Sequence, residues 1–214
     1  MVHSSWFIIH SSLFMVHNSI KCIAFDVGGV LLDTGTFPEN VAVGLSRYFH
    51  LITTDFLKTF NQILPRLEKN SASLEKAAFS KNANNFSKIY QNLAEKNFKI
   101  NSELLDLAIK LKKNYEVGIL SNVDRYLADI PKNKFVYSCF NPKYVVLSYK
   151  EGERKPEKKL YKIFLYRINC KADECLFIDN LEENIKTAQK IGMKTILFKN
   201  NSQIKKELKT FGVL

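Results

Sequence analysis

Cys22-Ile23-Ala24-Phe25-Asp26-Val27-Gly28-Gly29 is the stretch on which the reading of this chain turns. Four apolar residues that stop on a carboxylate and a glycine pair read as a buried strand ended by a tight turn. Working outward, similar apolar runs recur at Tyr115 to Leu120, Tyr144 to Leu147, Cys175 to Ile178 and Thr195 to Phe198. Helical stripes separate them. One is made by Leu104, Leu105, Ala108 and Leu111. Another, Leu160, Ile163, Phe164 and Ile168, begins just after Pro156, a first-turn position that suits proline. A third, Leu181, Ile185, Ala188 and Ile191, is closed by Gly192. Five strands separated by helices predict an α/β fold built on a doubly wound parallel sheet.

Between Phe37 and Lys99 no strand signal interrupts the chain. Val41, Leu45, Tyr48 and Phe49 share one helical face. Phe56, Leu57, Phe60, Ile63 and Leu64 share a second, and Phe86, Ile89, Tyr90 and Leu93 a third. Pro65 and the Asn/Ser-rich patches near Asn70 and Asn82 punctuate them. The expected organisation is therefore a core of residues 21–36 and 100–214, a helical insert over 37–99, and an N-terminal extension over 1–20 to which no role is assigned. The apolar pieces of that extension are broken by His10, Ser11 and Ser12, too interrupted for a membrane span or a secretory signal.

At 214 residues, with 46% hydrophobic and 12% aromatic residues, the chain can bury one sizeable core. Its formal charge of +11 invites a nucleic-acid reading. Against it, Lys58, Lys69, Lys76, Lys81, Lys88, Lys96 and Lys99 stand singly along helix-like segments, with no arginine-rich block. They predict a solvated surface whose field attracts phosphorylated metabolites, with neither nucleic acid nor membrane as partner. Cys22, Cys139, Cys170 and Cys175 show neither C-x-x-C spacing nor a histidine partner. Reduced thiols in a cytoplasmic protein are the expectation.

In doubly wound sheets the ligand site lies at the carboxyl ends of the strands. That rule alone selects Asp26, Ser121, Ser148 and Asp179. Asp26 and Asp179 offer hard oxygens for one Mg2+ with open water positions. Lys155, in Gly152-Glu153-Arg154-Lys155-Pro156 at the start of a helix, adds a cation that neutralises phosphoryl oxygens. Ser121 can donate its hydroxyl to another of them. Together these groups suit phosphoryl transfer through a covalent intermediate on Asp26.

The same residues resemble the motifs of the haloacid-dehalogenase-like (HAD) hydrolases. Phe25-Asp26-Val27-Gly28-Gly29-Val30-Leu31-Leu32-Asp33-Thr34 looks like the family's first motif, and Leu120-Ser121-Asn122 like the second. Lys155-Pro156-Glu157 with Tyr161 resembles the third, and Phe177-Ile178-Asp179-Asn180 with Glu183-Asn184 the fourth. They follow in the family's order across residues 21 to about 198. The resemblance implies a HAD-like, Rossmann-like core with a small helical cap inserted after the first strand. It implies Asp26 as nucleophile, Ser121, Asn122 and Lys155 as the phosphoryl-binding set, and Mg2+ held by Asp26, the Gly28 carbonyl and Asp179. Asp33 and Thr34 fall where the family's chain leaves the core for the cap.

Two positions depart from the pattern. Gly28 stands where phosphatases of the family usually carry an Asp that serves as general acid and base, a loss worth about 10²–10⁴ in rate. Asn180 stands where an Asp is common, which removes one negative charge from the cation site; Glu183 is the candidate to compensate from an outer shell. Three readings follow. One is a Mg2+-dependent phosphatase of a small phosphorylated metabolite, with a sugar phosphate the leading substrate. A carbon–halogen hydrolase, which needs no leaving-group acid, is the second. The third is a non-catalytic descendant that binds a phosphate ligand or a protein.

Overall fold

In a computed structural model, which describes residues 20–71 and 85–214, the run Cys22–Phe25 is strand β1, and each of its residues is buried. It lies between β4 (Glu116–Ser121) and β6 (Cys175–Asp179), parallel to both. β5 (Val145–Leu147) extends the sheet beyond β4, and β7 (Lys194–Leu197) extends it beyond β6. The order is β5-β4-β1-β6-β7. A central parallel strand is covered on both faces, which is why β1 reads as an unbroken apolar run.

Alternation along the strands divides the core into two layers. Ile23 and Phe25 face one way with Val117, Ile119 and Ile178. Helices Ser102–Leu111 and Asn201–Thr210 bury Leu104, Ala108, Ile204 and Leu208 in that layer. Cys22, Ala24, Leu120 and Phe177 face the other way, under helices Lys158–Ile168 and Glu182–Lys190. The expected α/β fold on a doubly wound parallel sheet is the observed one.

From β1 the chain builds β4 and β5 on one side, then crosses back to build β6 and β7 on the other. Such a switch of direction opens a crevice at the carboxyl ends of the strands. Asp26 follows β1 directly into that crevice, and its N–H donates to Ile178 O at 2.9 Å.

A small second sheet was not legible in the sequence. β2 (Leu32–Asp33) pairs antiparallel with β3 (Lys99–Ile100). It brings the outgoing and returning ends of the helical segment side by side, and two residues are too few to carry a periodicity. Between them run helices Glu39–Tyr48, Thr53–Glu68 and Phe86–Asn97. Phe56, Phe60 and Tyr90 are buried, as their spacing predicts, with Phe60 and Tyr90 edge to face at 5.8 Å between ring centroids. Tyr48, expected on an apolar face, is 58% exposed.

Pro65 does not punctuate this segment; it sits inside Thr53–Glu68. A proline there forfeits one backbone bond, but Leu67 beyond it is buried, and that packing carries the helix through. The extension expected over residues 1–20 lies, apart from buried Ile20, outside the described residues. So does the patch around Asn82.

The expectation of reduced thiols needs correction. Cys22 and Cys170 form a disulfide, with Cα atoms 6.6 Å apart across 148 residues of sequence. Cys139 and Cys175 are free. Sequence spacing could not show the pairing because the fold alone brings the start of β1 beside the turn after Lys158–Ile168, and the argument from unpaired cysteines to a reducing compartment falls with it. Among the described residues no helix is long and apolar enough to cross a membrane.

Candidate active site

The crevice beside β1 contains a cavity of about 280 Å³ whose walls include Asp26, Gly28, Ser121, Asn122, Lys155 and Asn180. Residues from four separated stretches of sequence thus meet in one place. Asp26, Ser121 and Asn180 arrive at the ends of strands or just after them, and Lys155 arrives on the loop beyond the short helix Ser148–Glu151 that follows β5.

Lys155 is the centre of the arrangement. Its Nζ lies 2.9 Å from Asp26 Oδ1 and 2.6 Å from Asp179 Oδ2, and its side chain is 1% exposed. The Phe177 ring covers the ammonium at 5.4 Å. Two backbone contacts fix the lysine loop: Lys155 N–H donates to Asn122 Oδ1 at 2.8 Å, and Asn122 Nδ2 donates back to Lys155 O at 2.9 Å. Both ends of the Asn122 amide are therefore engaged by the Lys155 backbone. Ser148, singled out by its position after β5, braces the adjoining loop. Its hydroxyl accepts from Val123 N–H at 2.9 Å and donates to Val123 O at 3.0 Å.

Asp179 is fully buried. Its Oδ1 accepts from Leu181 N–H at 2.8 Å, and Asn184 Nδ2 reaches both carboxylate oxygens at 3.0 and 3.1 Å. The sequence reading assigned support of this kind to Glu183, and that assignment does not hold: Glu183 is exposed, and Asn184 is the residue turned inward. The signal was present in the helical stripe. Position 184 falls on the same buried face as Ile185 and Ala188, whereas position 183 does not, and Leu181, expected in that stripe, is exposed before the helix begins.

Ser121 is 1% exposed, and its hydroxyl makes only a long contact of 3.4 Å to Asn122 O. Asp33 accepts from Gly35 N–H at 2.9 Å in a local turn, while Thr34 lines the cavity. Cavity-lining residues that sequence reasoning did not single out include Tyr137, Glu68 and Arg154. Arg154 Nε donates to Glu68 Oε2 at 2.8 Å, joining the last residue of Thr53–Glu68 to the loop that carries Lys155. Lys69 pairs with Glu157 at 2.9 Å on the other side of that loop.

With both carboxylates ionised, two carboxylates and one ammonium leave this buried cluster one negative charge in excess. Burial pushes Asp26 up to about 7 against the pull of Lys155, with the charge of Asp179 adding to the rise. For Lys155, burial works against the ammonium, but Asp179 and Asp26 outweigh it and hold the lysine above its ordinary range. A further cation is what such a site lacks electrostatically.

The available donors are all hard oxygens. The amide oxygens of Asn180 and Asn184 are buried without a hydrogen-bond partner. With the Asp26 carboxylate and the Gly28 backbone beside them, they fit a magnesium ion that retains waters. Among the described residues no group of three or more His, Cys, Asp or Glu forms a preassembled cage. Asn180 also lies close against the Gly29 backbone. Gly29 has φ +76°, and a side chain there would run into the Asn180 amide.

Comparison with known proteins agrees with this fold. The mouse bifunctional epoxide hydrolase 2 is 29% identical over 214 residues, covering 88% of this chain. The chain spans only 38% of that protein's length. A predicted HAD-like family hydrolase from Porphyromonas gingivalis superposes with a TM-score of 0.71 at 21% identity, over 89% of this chain and 98% of the other. A HAD family enzyme from Bacteroides thetaiotaomicron, crystallised with magnesium and inorganic phosphate, superposes with a TM-score of 0.68 at 22% identity, over 86% and 98%. A family model for haloacid dehalogenase-like hydrolases matches residues 20–192, and the chain belongs to that family of enzymes.

Proposed function

We propose that this hydrolase is a Mg2+-dependent phosphatase of a small phosphorylated metabolite, acting through a phosphoryl group carried on Asp26. The observation that carries the reading is the Lys155 ammonium fixed 2.9 Å from Asp26 Oδ1 at the wall of the cavity. An ammonium so placed attracts the anionic ester to the nucleophile and offsets the repulsion between two negative groups. The magnesium and phosphate bound by the Bacteroides thetaiotaomicron enzyme of the same fold support it. The cavity, at about 280 Å³, lies just below the usual range for ligand sites. It suits a small substrate, with a sugar phosphate the leading one. The helices between β2 and β3 serve as a cap over it.

In this reading an Asp26 oxygen bonds to phosphorus as the ester P–O bond breaks, and the leaving group departs as an oxyanion with that bond's electron pair, to be protonated by water. Water then hydrolyses the aspartyl phosphate and releases inorganic phosphate. The Ser121 hydroxyl donates to a phosphoryl oxygen, Lys155 neutralises another, and Asn122 keeps Lys155 in register. Asp26, the Gly28 carbonyl and Asp179, with the amide oxygens of Asn180 and Asn184 nearby, would hold magnesium, which would supply charge neutralisation when bound. Gly28 offers no proton, so the leaving group departs on its own acidity. Aryl and acyl phosphates should therefore turn over faster than alkyl phosphates.

The test is a phosphate-ester panel with and without magnesium, with Asp26→Asn as the blank. Hydrolysis that needs the metal and disappears in Asp26→Asn is expected. Activity that persists in Asp26→Asn, or in EDTA, would sink the reading.

A further inference from the structure

Tyr137 lies on the helix Pro131–Ser138 and lines the same cavity as Asp26. Its ring packs against the core, yet its hydroxyl oxygen is buried without a hydrogen-bond partner. A buried hydroxyl left unmet carries a desolvation penalty, and folded proteins satisfy nearly all such groups. Phenylalanine would fill the same space without the penalty.

The distribution of such atoms is informative. Among the described residues four buried side-chain polar atoms lack a partner, and three of them, on Tyr137, Asn180 and Asn184, belong to residues around this one cavity. Unmet hydrogen bonding is concentrated where a polar ligand would complete it. The two asparagine oxygens are acceptors and face the needs of a cation or water. The phenol is the donor of the set. Burial first, then the negative charge of Asp26, pushes its ionisation upward and keeps the hydroxyl protonated. It therefore offers a hydrogen and no charge, which suits an anionic oxygen.

We infer that the Tyr137 hydroxyl donates a hydrogen bond to an oxygen of the bound phosphate ester, supplying a substrate contact that Gly28 cannot. No proton is transferred; the phenol stays intact and lends only its dipole as charge grows on oxygen. This inference rests on the phosphatase reading, since the ligand oxygen belongs to that substrate.

The experiment compares Tyr137→Phe with the wild type by three measurements: unfolding midpoint, calorimetric affinity for inorganic phosphate with magnesium, and kcat/KM for 4-nitrophenyl phosphate. The expected variant melts no lower than the wild type, because an unmet hydroxyl has gone, yet loses about tenfold in kcat/KM, the worth of one neutral hydrogen bond. A parallel loss of phosphate affinity assigns the bond to a phosphoryl oxygen. Loss with the ester alone assigns it to the leaving-group oxygen. Unchanged kcat/KM and phosphate affinity in Tyr137→Phe would overturn the inference and leave the phosphatase standing. A wild-type protein that neither binds phosphate nor hydrolyses the ester would overturn both.

Discussion

Replacing Gly28 with aspartate asks whether the missing proton donor is the main limit on this enzyme. The backbone permits the change: Gly28 lies outside the left-handed region, and a Cβ built there meets only Thr34 Cγ2, at an ordinary 3.8 Å. The new carboxyl would start two residues beyond Asp26, on the wall of the same cavity. A positioned general acid is worth about 10²–10⁴ in rate where the leaving group is poor, and little where it departs unaided. The expected outcome is a gain of about 10²-fold or more in kcat/KM for an alkyl phosphate and a small change for 4-nitrophenyl phosphate. Gly28→Asn is the control, since it adds the same bulk without a titrating proton. Steady-state kinetics at saturating magnesium measures all three proteins. If Asp and Asn variants behave alike on the alkyl ester, with unfolding midpoints matching the wild type, the account of Gly28 is refuted.

Other consequences can be checked by unfolding or by steady-state kinetics. Lys155→Met strands Asp26 and Asp179 as buried carboxylates without their shared cation, and the denaturation midpoint should fall by the equivalent of about 3–5 kcal/mol. Gly29→Ala puts a Cβ at φ +76° against the Asn180 amide, and chemical denaturation should show a loss of about 1–3 kcal/mol. Arg154→Met removes the cation from Glu68, whose carboxyl burial already raises above its ordinary value; KM for phosphate esters should rise more than kcat falls, and the reverse split would argue against a binding role. Burial also raises Asp124, despite its bond from the Tyr90 hydroxyl at 2.7 Å. A raised folded value means that the native state holds the proton longer. Its contribution is thus fully present below the unfolded value of 3.8 and is lost as pH rises through the raised folded value. Thermal unfolding of Asp124→Asn between pH 3 and 8 should show a shallower decline on the alkaline side of about pH 4 than the wild type.

Much of the framework was written locally. The strand runs ending at Phe25, Leu120, Leu147 and Ile178 were legible because a two-face-buried parallel strand must be apolar throughout, and their boundaries shifted by no more than a residue or two. The polar residue placed directly after each run was legible for the same topological reason. Asp26, Ser121, Ser148 and Asp179 were named from their places after the strands and Lys155 from its place at the start of a helix, before any distance was known.

What the chain alone could not disclose depends on contacts between distant segments. The sharing of Lys155 between Asp26 and Asp179, the reciprocal bonds of Asn122, and the disulfide from Cys22 to Cys170 arise only when the crossovers close. Which of Glu183 and Asn184 turns inward was decided by a single step around a helix, about 100°, and packing of the buried stripe settled it. Tyr137 read as one more apolar position on a helix, and nothing in its neighbours' identities marks its hydroxyl as unmet. Local periodicity encodes which side of an element is buried; what meets it there is a property of the assembled core.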